Sequence, residues 1–282
     1  MKKKLIILTG PTAVGKTDLS IRLAKTVGGE IISADSMQVY RRMDIGTAKI
    51  RPEEMDGVRH HLIDILEPTE SFNAFLFKEY ALKAANEIWE RGSIPIIVGG
   101  TGFYIQTLLY DIEFAKSDEN DGIRDELNKL YEEHGAAFLH DMLAKVDPEY
   151  AAEVHENNVK KVIRAIEFYR QTGHKMSEHN TEKRERTSPY NFEYFVLSDD
   201  RTVLYERIDK RIDGMVEAGL IAEVQALLDE GVDRRSVAMQ GLGYKEIASY
   251  LAGEISLDEA IYILKRDTRH FAKRQLTWFR RE

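Results

Sequence analysis

A glycine-bounded turn near the start of the chain has the residue types and spacing of a phosphate-binding loop. The stretch LIILTGPTAVGKTDLS contains the pattern G-x-x-x-x-G-K-[ST] between Gly10 and Thr17. Its two glycines let backbone N–H groups face an anion with no Cβ in the way. The pattern predicts that Lys16 reaches a terminal phosphate and that the Thr17 hydroxyl binds Mg²⁺. The expected phosphate contacts are Gly10, Pro11, Thr12, Ala13, Val14, Gly15, Lys16 and Thr17.

A carboxylate follows the second apolar run of the chain, because GEIISAD ends at Asp35. Ligands of open α/β sheets gather at the carboxyl ends of the strands, so we expect Asp35 beside the phosphate loop. Asp35 can act there as a general base on an acceptor group or as a Mg²⁺ ligand. A third interpretation is that it only caps a loop or a helix, as Asp often does.

A second glycine turn, in VGGTGFY, follows another apolar run. Thr101 heads the next helix, and the glycines around it allow close backbone approach, which is typical of an anion-binding helix N-terminus. Further along, Arg124 is an isolated arginine in an acidic segment. It would reach a diphosphate if that segment folds over the core as a lid.

These residues need a scaffold, and the first 110 residues alternate strand-like and helical patterns. KLIILTG, GEIISAD, HHLIDILEP and SIPIIVGG are predicted strands, and FEYFVLS is a later one in the same sheet. Ser71 is the expected cap of a helix that runs to about Arg91. Such alternation predicts a parallel sheet covered by helices on both faces.

Residues 114–190 break this alternation, since they are charged, helical in period and without strand-like runs. GIRDELNKLYEEHG and VKKVIRAIEFYRQTG are predicted amphipathic helices that end at glycine. The last helix begins after Ser256, which forms a capping box with Glu259. We therefore predict an α/β, P-loop NTPase-like core of residues 1–113 and 191–282, with its C-terminal helices and a helical insertion at 114–190.

Composition narrows the class of protein. The 282 residues include no cysteine, which excludes disulfides, a thiolate nucleophile and thiolate-ligated zinc. No stretch is long enough to span a membrane, and the apolar run after MKKK is too short for a signal-peptide core. These features predict a soluble, cytoplasmic protein. No obligate protein partner is evident, and a monomer is expected.

Charge is unevenly distributed although the formal net charge is −8. Residues 265–282 carry seven basic and two acidic side chains, and residues 157–186 carry eight and four. A basic face attracts a polyanion even on an acidic protein, but charge runs are also typical of solvated helix faces.

Three functional classes fit the candidate site residues: a kinase, a transferase with a diphosphate leaving group, and a nucleotide-switched module. The last is disfavoured, because no N-K-x-D guanine signature is present.

Seven stretches together resemble the tRNA dimethylallyltransferase family in its bacterial form. They occur in the family's order and cover nearly the whole chain, and the second is the most specific because kinases do not share it. The stretches are GPTAVGKTDLS, DSMQVYRRMDIGTAK, HHLIDI, VGGTGFY, VIRAIEFYRQTG, QGLGYKEI and KRQLTWFRR.

The resemblance implies transfer of a dimethylallyl group from dimethylallyl diphosphate to the exocyclic amine of the adenosine 3′ to the tRNA anticodon, at tRNA position 37. The phosphate loop and Mg²⁺ would then neutralise the departing diphosphate. Asp35 would orient the amine and accept its proton, with Lys16, Thr101 and Arg124 completing the catalytic set. Alternatives are an adenylate prenyltransferase of the same fold and a P-loop metabolite kinase.

By the same resemblance, the target base leaves its stack to enter the site, and the insertion and the last helix clamp the anticodon stem-loop. We expect Trp278 and Phe279 to belong to the core rather than to stack on bases. The expected tRNA contacts are Asp35, Ser36, Met37, Gln38, Thr101, Arg124, Lys160, Lys161, Arg164, Lys273 and Arg274.

Overall fold

The computed structural model describes residues 2–112, 122–178 and 187–282. Its internal contacts divide the chain into two compact units. One unit combines Met1–Asp111 with Pro189–Glu282, and the other is Ile112–Ser188. Among the described residues, no helix has both the length and the apolar character needed to cross a bilayer.

The first unit is built on a parallel sheet. Its strands are β1 (Lys4–Thr9), β2 (Gly29–Ser33), β3 (His60–His61), β4 (Ile94–Gly99) and β5 (Asn191–Val196). They lie in the order β3-β2-β4-β1-β5, and every pairing is parallel. The inner strands are nearly continuous apolar runs because helices cover both of their faces. The predicted α/β fold and the return of a late strand to the sheet are confirmed.

The third strand is much shorter than HHLIDILEP suggested. Only His60 and His61 pair with β2, because Leu62 and Asp64 adopt left-handed backbone angles, with φ of 63° and 54°. Extended pairing cannot continue through such residues. Further along, Leu66 forms an isolated parallel bridge with Tyr40, and both residues lie outside the named strands. The prediction of a strand closed by Pro68 was therefore wrong over most of its length.

Helices follow the strands in the order that the sequence predicts. The described helices are α1 (Lys16–Val27), α2 (Ala74–Glu90), α3 (Gly102–Leu109), α4 (Ile123–Val146), α5 (Pro148–Glu153), α6 (Val159–Thr172), α7 (Arg201–Glu217), α8 (Leu220–Asp229), α9 (Tyr244–Leu251) and α10 (Leu257–Phe279). The cap of α2 is Asn73, whose side chain accepts the Leu76 N–H, so the prediction of Ser71 was wrong. For α10 the predicted cap is confirmed, since the Ser256 hydroxyl accepts the Glu259 N–H.

The second unit contains α4, α5 and α6. Gly135 interrupts α4 with non-helical angles (φ 83°, ψ 179°), and Gly173 caps α6, so both predicted helices end at their glycines. Leu127 and Leu139 of α4 pack against Val162 and other buried side chains of α6 in a separate apolar cluster. This unit therefore has a small core of its own.

Candidate active site

The loop between β1 and α1 has the geometry that its sequence pattern requires. It follows a buried strand and opens a helix, and φ is 146° at Gly10 and 92° at Gly15. A Cβ at Gly10 would also lie 2.5 Å from the Leu197 carbonyl oxygen. Other residues are strained at such angles, so glycine is needed at both positions. The loop therefore stands ready to present backbone N–H groups to an anion.

The Lys16 side chain folds back over this loop. Its ammonium donates hydrogen bonds to the carbonyls of Gly10 (2.9 Å) and Pro11 (2.7 Å). Burial lowers the pKa of Lys16 to about 8; the carboxylate of Asp35 opposes this shift, and the guanidinium of Arg211 adds to it. A cation with poor hydration gains most from an anion placed beside it, which suits a phosphate site.

Asp35 lies two residues beyond β2 and serves in a local turn. Its Oδ1 accepts the N–H groups of Met37 (2.8 Å) and Gln38 (3.3 Å). Asp35 therefore does cap a local turn, as the third interpretation predicted. Asp35 also lines a cleft together with Lys16 and Thr17. Because a carboxylate has about four lone-pair sites, one oxygen can hold the turn while the other faces the cleft.

Gln38 lines the same cleft but is used internally. Its side-chain amide accepts the Ser33 hydroxyl (3.2 Å) and donates to the Thr47 carbonyl (3.3 Å). Ser36 and Met37 lie beside it and are half-buried. The predicted RNA contacts of these residues stay predictions.

A carboxylate far along the chain fixes the loop that follows. Glu223 of α8 accepts the backbone N–H groups of Asp44 (2.9 Å), Ile45 (2.7 Å) and Gly46 (3.0 Å). It also accepts the buried Tyr244 hydroxyl at 2.6 Å. A Cβ at Gly46 would meet the Tyr244 ring at 2.6 Å, so the loop and ring fit only with glycine there. Sequence reasoning missed this clamp, although the glycine in MDIGTAK was a signal for close approach.

Gln275 of α10 joins the two glycine turns. Its Oε1 accepts the Thr12 N–H and its Nε2 donates to the Gly100 carbonyl, both at 2.9 Å. The side chain is 5% exposed, and a Cβ at Gly100 would lie 2.2 Å from its Nε2. The phosphate loop and the second glycine turn are therefore held at a fixed separation by one amide. The sequence shows only a glutamine within a basic helix, so this role was missed.

Substituting Gln275 by Ala is expected to loosen the loop. The change leaves the part-buried N–H of Thr12 and the part-buried carbonyl of Gly100 without this partner, which costs up to about 1–3 kcal/mol for each group, the penalty of a fully buried one. We expect faster hydrogen exchange of the Thr12 amide and a lower urea midpoint. Gln225→Ala is the matched control, since Gln225 is an exposed helical glutamine whose side chain donates to Asp229. Equal exchange rates at Thr12 in both variants would contradict the assigned role.

Arg211 of α7 is a second group that sequence reasoning missed. Its Nη1 lies 3.5 Å from the Thr12 hydroxyl at the edge of hydrogen-bonding range. Burial lowers the pKa of this guanidinium, and the negative charge of Asp35 partly offsets that shift. Nothing in the period of an amphipathic helix distinguishes this arginine from its neighbours. The structure nevertheless places its charge beside the phosphate loop.

The predicted residues of the insertion lie in the second unit. Arg124 is the second residue of α4, and its guanidinium pairs with Glu167 of α6. The basic side chains of α6, Lys160, Lys161 and Arg164, are exposed. Thr101 lies in the first unit as the N-cap of α3, with no capping bond from its hydroxyl.

A basic groove of about 410 Å³ runs along α10. Lys273 and Arg274 line it together with His270, Thr277, Trp278 and Arg281. Phe279 is buried, as predicted, but Trp278 is 36% exposed, so its assignment to the core was wrong. Trp278 packs its indole edge against Gly102, where a Cβ would come within 2.2 Å of Nε1. The groove thus combines cations with an accessible aromatic ring.

The cleft contains few side chains that could bind a metal cation. No cluster of three or more His, Cys, Asp or Glu side chains suited to a metal occurs in the described part of the chain. The cleft offers the Thr17 hydroxyl and the Asp35 carboxylate. Such a sparse oxygen set fits Mg²⁺, which commonly takes one or two protein ligands and completes its shell with phosphates and water.

Comparisons with known proteins agree with one another. The sequence model of the IPP transferase family matches residues 38–282. The tRNA dimethylallyltransferase of Lachnoclostridium phytofermentans is 60% identical over 99% of this chain and 89% of that relative. The tRNA dimethylallyltransferase of Carboxydothermus hydrogenoformans is 52% identical over 100% of this chain and 90% of that relative.

Two solved structures extend the likeness to the fold. The tRNA isopentenylpyrophosphate transferase of Bacillus halodurans is 48% identical with a TM-score of 0.74, over 100% of this chain and 88% of that one. A eukaryotic dimethylallyltransferase acting on tRNA is 33% identical with a TM-score of 0.85, and the match covers 98% of this chain and 69% of that one.

Proposed function

Because the chain belongs to the tRNA dimethylallyltransferase family, we propose that it transfers a dimethylallyl group from dimethylallyl diphosphate to the exocyclic amine of the adenosine 3′ to a tRNA anticodon. The observation that carries this proposal is one cleft lined by the phosphate-loop residues Lys16 and Thr17 and by Asp35. A diphosphate held by the loop and an amine held by the carboxylate would meet in that cleft.

The transfer exchanges one bond for another. The amine nitrogen forms a bond to C1 of the dimethylallyl group, and the bond from C1 to the diphosphate oxygen breaks. The electron pair of that bond leaves with the diphosphate, and the amine proton passes to the carboxylate of Asp35. Because the turn engages Oδ1 of Asp35, the other carboxylate oxygen is left to take this proton.

The leaving diphosphate needs its charge neutralised. Lys16 supplies a cation, the loop supplies backbone N–H groups, and Arg211 adds a second cation beside Thr12. The Thr17 hydroxyl would hold Mg²⁺, which would supply further charge stabilisation. Thr101 contributes a hydroxyl at the neighbouring helix N-terminus, where an anion is favoured.

Labelled substrates test the reaction directly. The protein is incubated with labelled dimethylallyl diphosphate and either tRNA or AMP, and separately with γ-labelled ATP and the same acceptors. Label entering tRNA is expected. Label entering only AMP would identify an adenylate prenyltransferase, and phosphate transfer from ATP would identify a kinase, so either result contradicts the proposal.

The groove on α10 is proposed to bind tRNA phosphates. The double variant Lys273→Glu, Arg274→Glu is expected to bind tRNA at least tenfold more weakly. It should also make the plot of log affinity against log salt shallower by about 1–2, because each lost phosphate contact removes roughly 0.7–0.9 from the slope.

A matched control lies on the same helix. Lys265→Glu with Arg266→Glu makes the same charge change outside the groove, where these cations pair with Asp213 and Asp267. If both double variants shift the salt slope equally, the effect comes from net charge alone and the groove is not the binding surface.

A further inference from the structure

The cleft beside the phosphate loop has apolar walls. Ile31 of β2, Val98 of β4, Ile50 and Ile63 line it together with Lys16 and the other polar groups described above. These four side chains belong to one apolar cluster that also contains the buried face of α1. A charged edge and a hydrocarbon wall thus share one cavity, which suits a ligand with a charged head and an apolar tail.

The remaining polar side chains of the cleft are already engaged. The Ser20 hydroxyl donates to a backbone carbonyl of its own helix at 2.7 Å, and the Ser33 hydroxyl donates to Gln38. His60 Nδ1 lies 2.9 Å from the Val58 carbonyl, and burial lowers the pKa of this imidazole. Burial therefore favours the uncharged form of this imidazole. A ligand group at these walls contacts hydrocarbon and polar side chains that already have hydrogen-bond partners. An apolar group can therefore bind there without leaving a polar group unpaired.

The volume of the cleft is about 70 Å³. A dry cavity of ~150 Å³ accepts a benzene ring, so this space suits a smaller group, such as the branched end of a five-carbon chain. We propose that these walls bind the dimethylallyl tail and exclude a second five-carbon unit. This inference rests on the proposed function, which supplies the prenyl diphosphate.

The limit on tail length is assigned to Ile63, because Ile50 and Ile63 are the two apolar walls outside the strands and Ile63 is the less buried of the two. Ile31 and Val98 are fixed by strand pairing on both sides of β2 and β4. Ile63, in contrast, is half-buried on the loop between the left-handed residues Leu62 and Asp64. Truncation at this position opens space without breaking a strand. The assigned role is therefore one of substrate specificity, through contact with the tail.

Enlarging the cleft tests the assignment. In Ile63→Ala, kcat/KM for geranyl diphosphate relative to dimethylallyl diphosphate is expected to rise at least tenfold, because one methylene in an apolar pocket is worth roughly 10–200-fold. Ile65→Ala is the matched control: Ile65 is also half-buried, lies two residues away, and packs on the other apolar cluster. Ile63→Val, which removes one methylene, takes the place of the Ala variant if the latter is unstable.

Filling the cleft gives the converse. Ile63→Trp should raise KM for dimethylallyl diphosphate at least tenfold while the inhibition constant of inorganic diphosphate, which has no tail, stays unchanged. An unaltered chain-length ratio in Ile63→Ala, or an equal change in Ile65→Ala, overturns the inference. If the wild-type protein transfers nothing from dimethylallyl diphosphate, the proposed function itself fails, so the two failures are distinguishable.

Discussion

Replacing Asp35 by Asn is expected to lower kcat by about 10²–10⁴-fold, the usual contribution of a general base. The variant isolates this role, because Asn keeps an Oδ1 that can accept the N–H groups of Met37 and Gln38. The turn should therefore survive while the proton acceptor is lost. Single-turnover transfer measures the chemical step, and equilibrium binding of inorganic diphosphate at pH 6.5 should change little.

The control for this variant is Asp44→Asn, which removes a carboxylate paired with Lys49 away from the cleft. It should leave kcat within about twofold of wild type, since the buried ammonium of Lys49 keeps its pair with Asp64. If Asp35→Asn also retains wild-type turnover, Asp35 is a turn cap and nothing more, and another group must take the amine proton.

Replacing Lys16 by Met is the second change with a large expected effect. The substitution keeps the length of the side chain but removes the cation that faces the departing charge. Losing one preorganised donor of this kind costs about 10²–10³-fold in rate. Lys25→Met is the matched control on the same helix, where Lys25 pairs with the exposed carboxylate of Asp56. Equal activity of the two variants would remove Lys16 from the mechanism.

The same lysine predicts a pH dependence. Burial lowers the pKa of Lys16 to about 8, so the ammonium is charged below that pH and is progressively lost above it. Affinity of the free protein for inorganic diphosphate should fall as the pH rises through about 8. Titration calorimetry across pH 6.5–9.5 measures this, and the inflection should be missing in Lys16→Met. Its persistence there would assign it to the ligand or to another group.

Local backbone requirements explain what the sequence predicted well. The loop from Gly10 to Thr17, the start of α1 and the N-cap at Thr101 are each encoded by residues that are close together in the sequence. Gln275 and Arg211 were missed because their partners are remote. The hydrogen bond of Gln275 to Thr12 spans 263 residues, and the contact of Arg211 with the same residue spans 199. Helical periodicity carries no information about such pairs.

The third strand, in contrast, was predicted to be longer than it is. HHLIDILEP has the apolar character of a buried strand, yet hydrogen bonds to a neighbouring loop determine its path. The Asp64 N–H donates to Gln38, and the N–H groups of Ile65 and Leu66 donate to Val39. These tertiary bonds stabilise the turn at Leu62 and override the local preference for extension.

The contacts of Glu223 with the loop at Asp44–Gly46 affect the heat-capacity change expected on RNA binding. Its carboxylate already fills the concave array of N–H groups at Asp44–Gly46, so an RNA phosphate cannot take that position. Because the loop is ordered during folding, its immobilisation adds no entropy penalty when a partner arrives. Calorimetry should then show a small heat-capacity change from this segment, unlike the large negative value of a segment that folds on its target. The clamp makes the loop a rigid template.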